Sequence, residues 1–416
     1  MRKYLLRTLC IAFVLSLCLP MVACDMELGG LVGELLADNK LNDEVVPEEW
    51  VSDIFVDDLL PEIEDITSDY DFTESASTDP ETNIPSQVYS DGLLFESNGD
   101  GTCVVVGLGT CTDAELVIPL TSLDGDSVTG IGAGAFSECN NLTSVTIPDG
   151  VTNIGNAAFM NCMGLTSVIL PDSVTTIGDT AFFCTKLMSI TIPDSVTRIG
   201  IDAFSYCVNL TNISIPDSVT SIGNQAFSGC SGLTSITVEE GNPVYHSVDN
   251  CLIKTESATI IAGCRTSKIP DSVTGIGEGA FSGCSDLTSV VIPDSVTSIG
   301  GYAFAWCSSL TSIDIPNGVT SIGYHAFTNC TALTSITIPD NVTKIENNAF
   351  EGCVGLTNVF LGNRVEIIDS VAFYGCTGLT DIYYAGTEGE WMAITIGDLN
   401  DPLASATIHY NYVSEE

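Results

Sequence analysis

The sequence predicts an α/β repeat solenoid, and three observations predict it. One 23-residue unit recurs from about residue 128 to 384, close to Ile-Pro-Asp-Ser-Val-Thr-Ser-Ile-Gly-x-x-Ala-Phe-x-x-Cys-x-x-Leu-Thr-Ser-Ile-Thr. Its phenylalanine stands at Phe136, Phe159, Phe182, Phe204, Phe227, Phe281, Phe304, Phe327, Phe350 and Phe373. Hydrophobic content is 45% against 16% charged, enough apolar material for a core shared between neighbouring units. A unit this short cannot bury its own apolar face, so copies stack and share one.

Each segment follows in order. Arg2, Lys3 and Arg7 precede an apolar run, Leu9 to Leu19, that is too short for a confident membrane span. Residues 1–23 therefore read as an export signal. Met21-Val22-Ala23-Cys24 resembles a bacterial lipobox, although the usual leucine is replaced by Met21. Lipidation at Cys24 would tether the chain to a membrane surface without spanning it. The alternative is an ordinary cleaved secretory signal.

Residues 24–91 read as an acidic, largely disordered tether. Residues 25–91 hold 20 Asp and Glu against one base, Lys40. Like charge at that density opposes collapse. Residues 92–127 read as an N-terminal β cap: Leu93-Leu94-Phe95, turn residues Asn98-Gly99-Asp100-Gly101, and a returning strand from Thr102 to Val106.

Within a repeat, Leu287, Val290 and Ile292 face inward, while Ser289 and Val291 face outward along a short strand. Pro293 ends that strand and Asp294-Ser295 turn the chain. Val296 and Ile299 form a second short extended piece, closed by Gly300. Ala303, Phe304 and Cys307 have the spacing of a short helical turn.

The unit Leu-x-x-Ile-x-Ile-Pro-x-x-Val-x-x-Ile-Gly-x-x-Ala-Phe-x-x-Cys resembles the leucine-rich repeats of BspA-like bacterial surface proteins, over about residues 92–416. The resemblance implies a curved coil with a parallel sheet on its concave face. It also implies surface display and adhesion to host proteins or to other bacteria. A shared fold does not by itself carry that role.

Two departures from the period are expected to matter. Phe182 and Phe204 are 22 residues apart, so one coil lacks a residue. Phe227 and Phe281 are 54 apart, leaving an irregular 31-residue unit at about 239–269 without Ala-Phe-x-x-Cys. There Leu252-Ile253-Lys254 and Thr259-Ile260-Ile261 read as a hairpin, serving either as a wall of the coil, the preferred reading, or as a projecting contact site. Residues 385–416 leave the pattern and read as an aromatic C-terminal cap. A sugar-binding platform is the alternative.

The function classes narrow by composition. Net charge is −43 and only 11 Lys and Arg are present, which excludes nucleic acid as a natural partner. No Gly-x-Ser-x-Gly elbow, phosphate loop or His-Glu-x-x-His occurs, and His246, His325 and His409 lie far apart in the chain. No catalytic residue, metal site or cofactor is therefore assigned, and the chain is not read as an enzyme. Cys139, Cys162, Cys207, Cys230, Cys284, Cys307, Cys330, Cys353 and Cys376 share one repeat position and read as small buried thiols. Disulfides Cys103–Cys111 and Cys251–Cys264 are the most plausible pairings if any form. Asp149, Asp172, Asp194, Asp217, Asp271, Asp294 and Asp340 read as turn caps, with a calcium edge as the alternative.

The outward positions of the repeat strands are mostly Ser and Thr. Toward the end they become Asp314, Thr337, Asn358, Phe360, Asp381 and Tyr383, which form the candidate ligand-binding set. The leading expectation is a protein that is exported, either lipid-anchored at the cell surface or secreted. It would bind a protein or glycan on host or neighbouring cells without catalysis, touching membrane only through the lipid. The alternative is a structural, self-associating module of a surface assembly.

Overall fold

A computed structural model describes residues 89–413. The signal segment, Cys24 and nearly all of the tether lie outside the described residues. From residue 89 onward the chain is a solenoid of stacked, mostly parallel strands with very little helix.

The first strands, β1 (Leu94–Ser97) and β2 (Thr102–Gly107), pair antiparallel. β2 also runs parallel to Ser127–Ile131, so the pair opens a seven-stranded sheet. The expected hairpin cap thus does not stand apart from the repeats, because β2 is paired as the first coil of the stack.

Each coil contributes one strand to each of two walls. The Val-x-x-Ile piece gives two-residue strands, such as Asn153–Ile154 and Ser298–Ile299, which pair in parallel from coil to coil. The Leu-x-x-Ile-x-Ile piece gives strands of three or four residues with alternating burial, the outward Ser or Thr accessible and the Val or Ile buried. Thr after Leu and Thr after Val explain themselves as ladder residues. Thr166 donates both its N–H and its hydroxyl to the Thr143 carbonyl (2.9 and 3.1 Å), and Thr175 does the same to Thr152 (2.9 and 3.0 Å).

The expected helical turn at Ala-Phe-x-x-Cys is not there. Two residues of this segment, four apart, lie in the left-handed region: Ala157 has φ 55° and Asn161 φ 59°. Ala157, Phe159 and Asn161 donate their N–H groups to Asp179, Ala181 and Phe183 of the next coil (all 2.8 Å). Ala158, Met160 and Cys162 donate within the coil, to the residue three back. An α-helix needs every N–H for its own i−4 carbonyl. Here half of them are spent joining coils, so the 3.6-residue spacing of Ala, Phe and Cys reflects a run of tight turns. Among the described residues the helices are α1 and α2, both near the C-terminus and placed below.

The core is the phenylalanine stack. Successive rings lie near-parallel with centroids 5.1–5.7 Å apart on both sides of the irregular unit. Beside it run the thiols. Most of the Sγ–H groups point at the carbonyl of the phenylalanine in the previous coil, as in Cys330 to Phe304 and Cys376 to Phe350 (both 3.1 Å). Burial pushes the thiols of Cys162 and Cys330 up to about 12. Cys103, Cys111, Cys251 and Cys264 are also free thiols, so neither candidate disulfide is present in the structure.

The aspartate row does not cap its turns. Val174 N–H closes the turn on the Pro171 carbonyl (3.1 Å), and the neighbouring Ser173 hydroxyl reaches the Val151 carbonyl one coil back (2.7 Å). The proline carbonyl takes the N–H that the carboxylate would have capped, and the aspartates lie exposed.

Both departures from the period leave marks. In the coil shortened by one residue, the long-strand wall has no strand between Ser167–Ile169 and Asn212–Ile215. In the irregular unit, β3 (Tyr245–Val248), β4 (Cys251–Lys254) and β5 (Thr259–Ala262) form an antiparallel run that then pairs in parallel with Gly275–Ile276. β4 is buried on both faces. Cys251 and Ile253 pack into the apolar cluster that follows, and Leu252 into the one that precedes. This unit is a wall of the coil. Gly263 replaces the missing phenylalanine, since a Cβ there would lie 2.1 Å from the Phe281 ring.

The last coils carry β6 (Ser312–Asp314), β7 (Ser335–Ile338), β8 (Asn358–Leu361) and β9 (Asp381–Tyr384). α1 (Glu388–Trp391) follows, with a capping box between Thr387 and Glu390. Then come α2 (Asp401–Ser405) and β10 (Thr407–His409). Trp391, Ile394 and Leu403 are buried against the last coil, Trp391 edge-on to Tyr384 with centroids 5.4 Å apart. Their apolar bulk shields the end of the core.

Candidate functional site

The residues singled out in the sequence fall on one sheet, in the spatial order Ser289–Val291, β6, β7, β8, β9, β10. Parallel in-register pairing lines them up across the strands. One row runs Asp314, Thr337, Phe360, Tyr383 and then His409. A second runs Asn358, Asp381 and Thr407. The alternation of each strand sends Ile336, Val359 and Ile382 inward and leaves these rows facing out. All six candidates therefore share a face.

Strand spacing of about 4.8 Å is close to the distance at which aromatic rings stack. Phe360 and Tyr383 do so, with centroids 4.8 Å apart and planes 15° apart. His409 continues the stack on Tyr383 at 4.6 Å and 13°. The chain beyond β10 folds back through the Tyr412 N–H to the Tyr384 carbonyl (3.0 Å). This sets the Tyr412 ring against both Phe360 and Tyr383, at 5.3 and 5.1 Å. All four rings are half-buried.

A carboxylate borders the rings. His409 Nε2 and Asp381 Oδ1 are 2.8 Å apart, and the Thr380 hydroxyl donates to Oδ2 at 2.7 Å. The hydrogen bond from His409, then that from Thr380, holds the Asp381 carboxyl below its ordinary range. Asn358 donates to Thr357 Oγ1 (2.9 Å), which fixes its amide beside the row. Asp314 and Thr337 lie exposed at the far end. The arrangement offers ring faces, one anchored carboxylate and an amide on an open sheet. It is chemistry for contact. Among the described residues, no group of three metal-ligating side chains converges.

The repeat signature of the BspA type leucine-rich repeat region matches residues 121–251 and 262–383, in six copies. The chain belongs to the BspA-type leucine-rich repeat family. The matched stretches stop at the first residue of β4 and resume at the last of β5, where the irregular unit departs from the period. Among solved structures, a leucine-rich cell surface protein from Faecalibacterium prausnitzii is 32% identical, with a TM-score of 0.52. That match covers 75% of this chain and 98% of the relative. The pneumococcal vaccine antigen PcpA shares the fold at 20% identity and a TM-score of 0.58, covering 78% of this chain and 98% of its own. A leucine-rich repeat protein from Eubacterium ventriosum does so at 22% and 0.55, covering 79% and 95%. No curated protein matches the chain.

Against the BspA-type pattern, sequence reasoning found four of the residues at the aromatic end of the face and missed two. His409 and Tyr412 sit in the region read as a cap, with a sugar-binding platform as the alternative. The signal for His409 was present in the spacing. His409 lies 26 residues after Tyr383, close to one period, and so lands on the same row.

Proposed function

We propose that this BspA-type chain is an exported bacterial surface protein that binds a protein or glycan ligand without catalysis. The ligand meets the sheet around Phe360, Tyr383 and Asp381. The observation that carries the reading is the stack of Phe360, Tyr383 and His409, roofed by Tyr412, at the end of a face that is otherwise Ser and Thr. Nothing in the packing of the core calls for those rings. The Phe159 and Phe182 coils are equally well stacked beneath outward Thr146 and Ile169 on the same row position. Half-buried aromatic groups beside an anchored carboxylate are the usual anchors of recognition surfaces. The printed description of the F. prausnitzii relative, a cell surface protein, supports the location. The basic and apolar N-terminus, with Cys24 after Ala23, supports export and a lipid anchor.

The test is binding of the purified chain, from Cys24 onward, to immobilised matrix proteins, mucins and polysaccharides. The double exchange Phe360→Ser with Tyr383→Ser is the control. Saturable binding that the control loses while its melting temperature holds supports the reading. Binding unchanged in the control removes the site. Concentration-dependent self-association with no ligand would favour the assembly role instead.

A further inference from the structure

A second aromatic cluster stands away from that sheet, on the turn segment that joins the two walls. Tyr302 and Trp306 both occupy left-handed positions, at φ 55° and 57°. In the preceding coil the same two positions are Gly279 and Gly283. Large side chains at such angles carry a backbone cost that glycine does not. Their rings are near-parallel with centroids 6.0 Å apart, and His325 stacks on Tyr302 from the next coil at 4.6 Å. Tyr324 meets Tyr302 edge-on at 5.2 Å and is 43% exposed.

A carboxylate is built into this cluster. Tyr324 lies across Gly301, where a Cβ would come within 2.6 Å of its ring, and its hydroxyl reaches Glu278 Oε1 two coils back at 2.6 Å. Gln225 donates to the same oxygen at 3.1 Å, and Asn224 to Oε2 at 2.8 Å. All three donors are neutral. A carboxylate accepts about four hydrogen bonds, so one acceptor position on Oε2 stays open. Beside Trp306, Gly283 leaves bare backbone, and a Cβ there would meet only Gly229 of the coil before. His325 adds no opposing charge, because burial holds its imidazole down at about 4.

We propose that Glu278, Tyr302, Trp306 and Tyr324 form a binding site for a cationic side chain, carried by an arginine- or lysine-rich segment of a partner protein. The cation donates to Glu278 Oε2, beside the bond from Asn224. Its flat or methylene portion lies on the Trp306 ring over Gly283. Charge complementarity favours this occupant over a neutral sugar. The chain has a net charge of −43, and aromatic faces beside a fixed carboxylate attract cations by two additive effects.

The experiment titrates the chain from Cys24 onward with a short peptide of alternating arginine and glycine, at physiological salt. The glutamate counterpart serves as the negative probe. Saturable binding is expected, weakened at least about tenfold by Glu278→Gln and, separately, by Trp306→Gly. The second exchange restores the residue found at that position one coil earlier, so the fold is retained. Asp149→Asn is expected to bind within about twofold of the parent. The site is overturned if the parent does not bind the basic peptide. It is also overturned if Asp149→Asn weakens binding as much as Glu278→Gln, because attraction would then be diffuse. The Phe360 face stands or falls independently of either result.

Discussion

The Cys330 thiol lies 3.1 Å from the Phe304 carbonyl oxygen, so a side chain usually counted as apolar links one coil to the next. Exchanging Cys330 for Ala removes buried volume and leaves that carbonyl without its thiol donor. The expected loss is about 1–3 kcal/mol of unfolding free energy, read from the denaturant midpoint. A midpoint equal to the parent's would show that the thiol contact carries no stability.

The same burial predicts chemical silence. With its thiol pushed up to about 12, Cys330 holds almost no thiolate at pH 8. Native chain should leave Cys330 unlabelled by an alkylating agent, and guanidinium should release it together with the other ladder thiols. Fast labelling of native Cys330, seen by peptide mass, would contradict the burial.

Phe304 has a ring neighbour on each side, Phe281 at 5.2 Å and Phe327 at 5.4 Å. Phe304→Ala breaks both stacks and should cost about 3–5 kcal/mol. An exposed ring such as Tyr374 should cost far less on exchange to Ala. Thermal or denaturant unfolding of the two variants side by side checks the ordering, and equal losses would mean that the stack is not the core.

Gly263→Ala tests the irregular unit. The added methyl would meet the Phe281 ring, and overpacking of this kind costs about 1–3 kcal/mol. Gly99→Ala has open space but a φ of 80°, so it reports backbone strain alone. A harmless Gly263→Ala would mean that the coil after the hairpin packs differently.

Asp202 gives a pH dependence of unusual sign for a carboxylate. Burial raises it to about 6, and Glu278 and Asp179 push in the same direction against a lowering hydrogen bond from Ser205. Its folded value lies above its unfolded one. Its relative contribution is therefore fully present below about pH 4 and lost as pH rises through 6. Asp202→Asn should stabilise the chain at pH 7.5, by up to about 3 kcal/mol, and by progressively less as pH falls toward 4. A difference that grows toward acid pH would contradict the assignment.

Much of this architecture was legible because period and chemistry coincide. Phe at a 23-residue period announced the stack, whereas the Thr ladder emerged only in the structure. The Ala-Phe-x-x-Cys turn was misread because helical spacing does not reveal that residues such as Ala157 and Asn161 are left-handed. The residues at those positions, from Ala157 to Trp306, are too varied to signal it. The aspartate row was misread because the carbonyl of the strand-ending proline takes the turn's N–H, as in Val174 to Pro171 and Val196 to Pro193. At the candidate site, Phe360 and Tyr383 were visible as departures from Ser and Thr. Tyr412 was not, since only the fold-back after β10 brings it to them. Tyr302 and Trp306 stood at positions that the repeat leaves variable, where sequence alone gives no direction.

The central claim is that ligand meets the chain on the sheet of β8 and β9. Hydrogen–deuterium exchange of the chain, free and saturated with the ligand that the binding panel identifies, tests it most directly. The account predicts slowed exchange confined to residues 358–361, 381–384 and 407–412. Slowed exchange confined to the two-residue strands, or spread evenly over the coils, would contradict it.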